Sequence, residues 1–343
     1  MTSPARPLRV MQSFRAPRAT TNPYITMLDE ALALDPQVQH LRFDWRTAIL
    51  GRYDVFHWHW PEGKLEASTW WKTAGKRALF GALLLRHSLT RVAVVRTVHN
   101  IELPDVDRLA RSLLLRCERT TTYRIVLNES TPVLPDQPHA LILHGHYRDW
   151  FARHPRSEPR RHQLGFFGGV RRYKSIDDLL RAYREAVQTD TRLSLRIGGR
   201  PSSPELAATL RAETADLPGV SLRLEFLEDE DLVEIATSSQ LVVLAYRFMH
   251  NSGSVLAALS LDRPVLVPRN EVNESLADEV GEGWVLMFDG ELDGPRLLEA
   301  LEHARALPRT SRPDLSRREW TKVGSEHAEA YRAATEHRSG RTS

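Results

Sequence analysis

The chain has 343 residues, 41% of them hydrophobic and 27% charged, and sets 47 Lys+Arg against 44 Asp+Glu for a net charge of +3. Such a length supports two domains with sizeable cores and excludes a mainly disordered chain, while the near-balance of charge excludes nucleic-acid binding driven by net charge alone. A single cysteine, Cys117, excludes a disulfide framework and any multi-cysteine metal centre and fits a reducing compartment. The first residues hold Pro4, Arg6, Pro7 and Arg9 where an export signal needs an apolar run, and no window approaches a membrane span, so a cytoplasmic protein is expected.

Strands are predicted in order at 8–11, 55–58, 92–98, 124–127, 140–143, 164–167, 193–197, 221–226, 241–244, 264–267 and 285–288. Most are apolar on both faces, as strands of a covered parallel sheet must be. Amphipathic stretches at 177–187, 204–214, 229–237 and 254–261 separate the later ones, a succession of βα units that predicts an α/β fold. The string RHPRSEPRRH at 153–162 is almost devoid of apolar residues and reads as a linker. The expected division is a first domain over 1–155, a second over 156–314, and a last helical stretch from 315 that crosses back to brace the first, ending in a ragged tail by 343. Ligands of such sheets lie beyond the carboxyl ends of the strands, so a cleft between two doubly wound domains is the expected site.

Two segments of the second half suit a phosphate. LVVLAYRFMHNSGSVLAALSLDRPVLVP, residues 241–268, runs a buried strand into the loop Asn251-Ser252-Gly253-Ser254 and at once into a helix. Unpaired N–H groups and the positive dipole end gather there, Gly253 admits close approach, and the serine hydroxyls donate. A plain Ser/Asn cap accounts for the same residues. LGFFGGVRRYKSIDDLL, residues 164–180, ends a strand in Gly168-Gly169 and projects Arg171, Arg172 and Lys174 before a helix capped by Ser175, with Asp177 and Asp178 in its first turn. Three cations beside a diglycine turn suit a diphosphate; a solvated basic loop is the plainer alternative. The spacing matches neither a Walker A loop nor GxGxxG, against classical ATPases and dehydrogenases.

In the first half, His57-Trp58-His59-Trp60-Pro61-Glu62 ends one strand and His99-Asn100 another. His57 reads as a core histidine and His99 as a functional one. A metal held by His57, His59 and His99 would lack a carboxylate pair at ligand spacing, so no metal is expected. Asp105-Val106-Asp107 and Asp229-Glu230-Asp231 read as first turns of helices, where acids suit the dipole. Asn22 reads as the cap of a helix beginning Pro23-Tyr24, and His144-Gly145-His146-Tyr147 precedes the linker.

Read together, YDVFHWHWP, TVHN, ILHGHY, FGGVRRYKSIDDLLRAY and NSGSVLAALSLDRPVLVP resemble the nucleotide-sugar glycosyltransferases of the GT-B architecture, the group 1 set and its bacterial exopolysaccharide relatives such as the xanthan-type mannosyl- and glucuronosyltransferases, over residues 8–288. The resemblance implies two Rossmann-like domains, the second binding a GDP- or UDP-linked sugar and the first a glycan or lipid-linked acceptor, with no metal or other cofactor and no nucleic acid as partner. It implies Lys174 as the phosphate-binding lysine, His99 as the histidine facing the donor sugar, and Ser252, Gly253 and Ser254 as the diphosphate loop. Two glutamates found in many retaining members fall here on Met249 and Ala257, and the usual arginine five before the lysine falls on Gly169, so Arg171 or Arg172 must supply that charge. An inverting branch therefore stays open.

Without a metal, cations and a helix N-terminus must stabilise the departing diphosphate. An inverting transfer also needs a base, for which Glu62, Glu102, Asp105 and His99 are candidates. Asn22, Tyr24, His59, Asn100, His144, Gly145, Gly169 and Asn251 are the other expected cleft residues. A non-catalytic sugar-nucleotide scaffold and a nucleotide-sugar epimerase are the alternative functions. Between 70 and 124 eleven basic residues face four acidic ones, and WWKTAGKRALFGALLLRH reads either as a helix lying on an anionic membrane or as a buried amphipathic helix with a basic face.

Overall fold

The computed structural model describes residues 6–18, 20–171 and 174–340. The chain forms two compact units, one of Met1–Gly145 with Arg317–Ser343 and the other of His146–Ser316. The basic stretch at 153–162 lies against the second unit: Ser157 N donates to Thr237 Oγ1 at 2.9 Å and Arg160 N to the Ser238 carbonyl at 2.9 Å.

The first unit alternates β1 (Leu8–Gln12), α1 (Pro23–Leu34), β2 (Val38–Leu41), α2 (Trp45–Leu50), β3 (Val55–Trp58), α3 (Trp70–Leu89), β4 (Ala93–Val98), α4 (Arg108–Thr120), β5 (Tyr123–Val126) and β6 (His139–Leu141). Its six strands pair in parallel in the order β2-β1-β3-β4-β5-β6. The sequence reading missed β2, which is an edge strand of four residues, VQHL, with only Val38 buried; an edge needs no continuous apolar run. All four side chains of β3 are buried. Phe56 and Trp58 enter the cluster with Phe80, Leu83 and Leu84 of α3, and the period-two alternation of a strand sends His57 to the other face. The order reverses between β1 and β3, so the carboxyl ends of those strands, at Gln12 and Trp58, lie at the topological switch point where doubly wound sheets place ligands.

The second unit begins with a short helix, α5 (Arg148–Phe151), and continues through β7 (Gln163–Phe167), α6 (Ile176–Thr189), β8 (Ser194–Gly198), α7 (Pro204–Thr214), β9 (Val220–Arg223), α8 (Asp229–Ser238), β10 (Leu241–Val243), α9 (Gly253–Ser260), β11 (Val265–Pro268), α10 (Glu271–Val280), β12 (Val285–Phe288) and α11 (Gly294–Ala306). Its parallel order is β12-β11-β10-β7-β8-β9, with the switch point between β7 and β10. The strand expected at 221–226 ends at Arg223, because β8, its one partner among the described residues, ends at Gly198, opposite Arg223. Beyond that point Gly199 takes φ +146 and passes so near Gly168 that a Cβ would sit 1.9 Å from the Gly168 carbonyl oxygen. Only glycine allows both that backbone angle and that approach.

The last helix, α12 (Trp320–Gly340), belongs to the first unit. Gly324 lets it close on Ala31 of α1, where a Cβ would lie 3.2 Å from the Ala31 carbonyl oxygen. No helix among the described residues is long and apolar enough to cross a membrane.

Candidate active site

In the second unit, both phosphate-suited loops follow the strands that flank the switch point, one after β7 and the other after β10. They meet: a Cβ on Gly168 would lie 3.3 Å from Lys174 Nζ and 3.3 Å from Ser254 Oγ. Gly168 has φ +108, so the chain can turn there with its backbone exposed to both groups. Lys174 is 8% exposed, and its ammonium lies 4.6 Å from the centroid of the Tyr246 ring. Burial, and secondly the cation Arg171, push its pKa from 10.5 down to about 8, with no carboxylate offsetting them. A buried ammonium without a counter-ion is costly, and an arriving anion would relieve that cost.

The helix after each loop is prepared differently. Ser175 stands at the start of α6 with φ 46, but its side chain makes no capping bond. Here the sequence expectation is corrected: Asp177 and Asp178 in the first turn already answer the dipole, and both reach Arg247, at 3.6 and 3.7 Å. The first turn of α9 holds no acid. Ser252 caps it by accepting from Val255 N at 3.4 Å, and Gly253 brings the backbone close to Tyr147, whose hydroxyl would lie 3.3 Å from a Cβ there. Asn251, half-buried, precedes the cap. The N-terminus of α9 therefore keeps its positive end for an external anion. Gly169 and the exposed Arg171 line a cavity of about 710 Å³ that also takes in Arg200 and Phe226. Arg172 lies outside the described residues.

In the first unit, the carboxyl ends of β1, β3 and β4 gather a hydrogen-bonded chain. Gln12 Nε2 donates to the Tyr331 hydroxyl at 3.0 Å, which turns its Oε1 toward His59 Nε2 at 3.2 Å. That oxygen can only accept, so His59 carries its proton on Nε2 and offers Nδ1 to His99 Nε2 at 3.3 Å. His99 then donates from Nε2, leaving Nδ1 as its acceptor nitrogen. Tyr331, having accepted from Gln12, donates to His57 Nδ1 at 2.8 Å, and His57 Nε2 donates to Thr97 Oγ1 at 2.8 Å. Burial, reinforced by the neighbouring histidines, holds His57, His59 and His99 well below the usual imidazole pKa. Burial also lowers His144 and His327 to about 4. The cluster is neutral at pH 7 and has one tautomer per ring.

His99 stacks on Trp60 at 3.9 Å between centroids, and the buried Tyr24 ring lies 5.3 Å from His99 and 4.6 Å from His144. Glu62, Glu102, Asn100, His59 and His99 line one small cavity of about 20 Å³. Glu102, Asn100 and Asp105 are exposed. Asn22 caps α1, accepting from Tyr24 N at 3.0 Å. Gly145 lies under Trp320, whose ring would be 2.4 Å from a Cβ there.

Sequence reasoning missed Gln12, His327 and Tyr331 in this cluster, and Tyr246 in the other unit, where Tyr147 lies in the string 144–147 that the sequence reading singles out. A readable signal existed for one pair: His327 and Tyr331, four apart, share the buried face of α12. The remainder are common polar residues at strand ends.

Residues 161–302 match the family Glycosyl transferases group 1. The chain is 42% identical, over 326 residues covering 94% of it and 92% of the relative, to a GDP-mannose:glycolipid 4-beta-D-mannosyltransferase of Xanthomonas campestris pv. campestris. Among solved structures it resembles Anabaena Alr3699/HepE in complex with UDP-glucose, with TM-score 0.60, 10% identity and coverage of 98% of this chain and 99% of that one. It also resembles AviGT4, a glycosyltransferase involved in avilamycin A biosynthesis, with TM-score 0.55, 15% identity and coverage of 96% and 98%. These likenesses establish the fold, and the 42% identity across nearly the whole chain establishes the family: the chain belongs to the group 1 glycosyltransferases of GT-B architecture.

Proposed function

We propose that this glycosyltransferase moves a mannosyl group from GDP-mannose to a hydroxyl of a glycolipid acceptor. The observation that carries the reading is the convergence of Lys174 Nζ and Ser254 Oγ on Gly168, beside the acid-free N-terminus of α9. The Xanthomonas relative's name supports this donor and acceptor. As the bond from the anomeric carbon to the diphosphate breaks, negative charge grows on the leaving GDP, and Lys174, Arg171 and the α9 amides neutralise it. The cavity of about 710 Å³ beside Arg171 is of a size to hold the nucleoside. A β-linked product from an α-linked donor requires attack from the opposite face with loss of the acceptor proton, and neutral His99 is the base we assign to it. Release of GDP from GDP-mannose, with formation of a mannosylated glycolipid, tests the proposal. Binding of GDP without turnover on any lipid-linked acceptor would defeat it in favour of a scaffold.

The acceptor's lipid implies work at a membrane surface. In α3, Trp70 is 82% exposed, Trp71 57% and Leu85 60%, with the exposed Lys72 beside them and the half-buried Lys76 a turn further on, whereas Arg77 is taken up by Asp107. Exposed tryptophans and cations together suit an anionic lipid interface. Flotation with vesicles containing phosphatidylglycerol should carry the protein upward, and W70S/W71S should leave it at the bottom; equal flotation of both would exclude α3 as the contact.

A further inference from the structure

The second unit has another cavity, on the edge of its sheet opposite Lys174. It opens beneath the amino ends of the strands, where His162 precedes β7, Gln240 precedes β10, Pro264 precedes β11 and Trp284 precedes β12, and its volume is about 640 Å³. Seven arginines line it against two acids, Glu158 and Asp262. The acids do not balance them. Asp262 alone is shared by Arg148 at 3.5 Å, Arg156 at 2.8 Å and Arg312 at 3.6 Å. Arg192 is bound to Asp190 and Arg305 to Glu302, which leaves Arg161 and Arg309 without an acidic partner within ion-pair distance among the described residues, and Arg263 with only the longer-range attraction of Asp262 and Glu158. The Nε of Arg263 is buried and makes no hydrogen bond. Guanidinium groups crowded this way repel one another, and a chain keeps such a cluster at a cost in stability unless an anion fills it.

We propose that this cavity is a binding site for a small phosphate ester or diphosphate, held by Arg161, Arg263 and Arg309 and independent of the donor loop. A fork of planar donors fits phosphate oxygens bidentately. The volume suits a metabolite of sugar-phosphate size, and Trp284 and Leu307 supply an apolar wall. The exposed large apolar side chains of this unit, Phe226 and Phe248, lie outside the cavity lining, which disfavours a lipid source for the phosphate.

The test is calorimetric titration of the full chain with inorganic pyrophosphate. The variant K174A weakens the donor loop, and one molecule of pyrophosphate should still bind with the parent's affinity. R161S/R309S, both exposed positions, should weaken that remaining binding about tenfold or more, the loss expected when charge-assisted hydrogen bonds are removed. R263Q should do the same, and circular dichroism should show all three variants folded. Loss of all pyrophosphate binding in K174A overturns the proposal in favour of the donor loop alone. Unchanged affinity in both R161S/R309S and R263Q also overturns it. Vesicles containing phosphatidic acid form the second arm: binding to them that depends on Arg161 and Arg309, with no binding of soluble pyrophosphate, assigns the cluster to a membrane surface and overturns the small-molecule site.

Discussion

Lys174→Met separates the stability of this protein from its proposed function. The fold lowers the lysine's pKa from 10.5 to about 8, mostly through burial, which at about 1.4 kcal/mol per pH unit means roughly 3 kcal/mol opposing the charged form. The Tyr246 ring, 4.6 Å away, returns about 1 kcal/mol through its face. At pH 7 the lysine is charged in the empty protein, so replacing it by an uncharged side chain of similar shape should raise the stability of the unliganded fold by about 2 kcal/mol. The advantage of the variant should be full below pH 8 and should vanish as pH rises from 8 through 10.5, where the lysine is neutral in both the folded and the unfolded chain. Ligand affinity should move the other way: losing one charge-assisted bond to the diphosphate costs about 2 kcal/mol, or roughly thirtyfold in the Kd for GDP. Urea unfolding from pH 7 to 10.5, paired with calorimetry against GDP, measures both. A variant that is less stable than the parent and binds GDP equally well would refute the reasoning, because Lys174 would then be a structural residue.

Other outcomes follow from the first unit. His99→Gln should lower turnover by about 10² to 10⁴ and leave the Kd for GDP unchanged; because the His99 pKa lies well below 6.5, the parent's rate should stay flat between pH 8 and 6.5, and a fall across that window would remove His99 as the base. Gln12→Leu removes both the donor to Tyr331 and the acceptor for His59, so it should cost about 1–3 kcal/mol of stability and lower turnover more than it changes KM; a purely structural residue would leave the rate profile of the folded protein intact. Gly145→Ala pushes a methyl group into the Trp320 ring, 2.4 Å away, and should destabilise by about 1–3 kcal/mol in thermal unfolding. His144 and His327, both lowered to about 4, stay neutral in the fold while the unfolded chain takes up protons below about 6.5. Each should therefore remove up to about 3 kcal/mol as pH falls from 6.5 to 4, seen as a steep drop in the urea midpoint that H327Q softens.

Much of the second unit was legible in the sequence because its information is local. Gly168-Gly169, the acid-bearing first turn of α6 and the acid-free NSGS start of α9 are adjacent residues, and each spells out its own turn, cap or dipole environment. The βα alternation then assigns those loops to strand ends, with no distant contact needed. The first unit was less legible. The tautomer of His99 depends on Gln12, which depends in turn on Tyr331, 319 residues further along the chain. Period and composition report whether a position is buried; they are silent about which distant side chain meets it there, so α12 and its hydroxyl entered the histidine cluster only once the chain was packed. The burial of Lys174 was equally a matter of packing, since the run of cations around it reads as a solvated loop until Tyr246 closes over the ammonium. Local sequence therefore determined most of the elements, though not the edge strand β2 or the end of β9, together with the phosphate-suited loops and the family resemblance. Tertiary packing decided the protonation states, because a pKa is set by whatever surrounds the group in space, and most of those neighbours come from elsewhere in the chain.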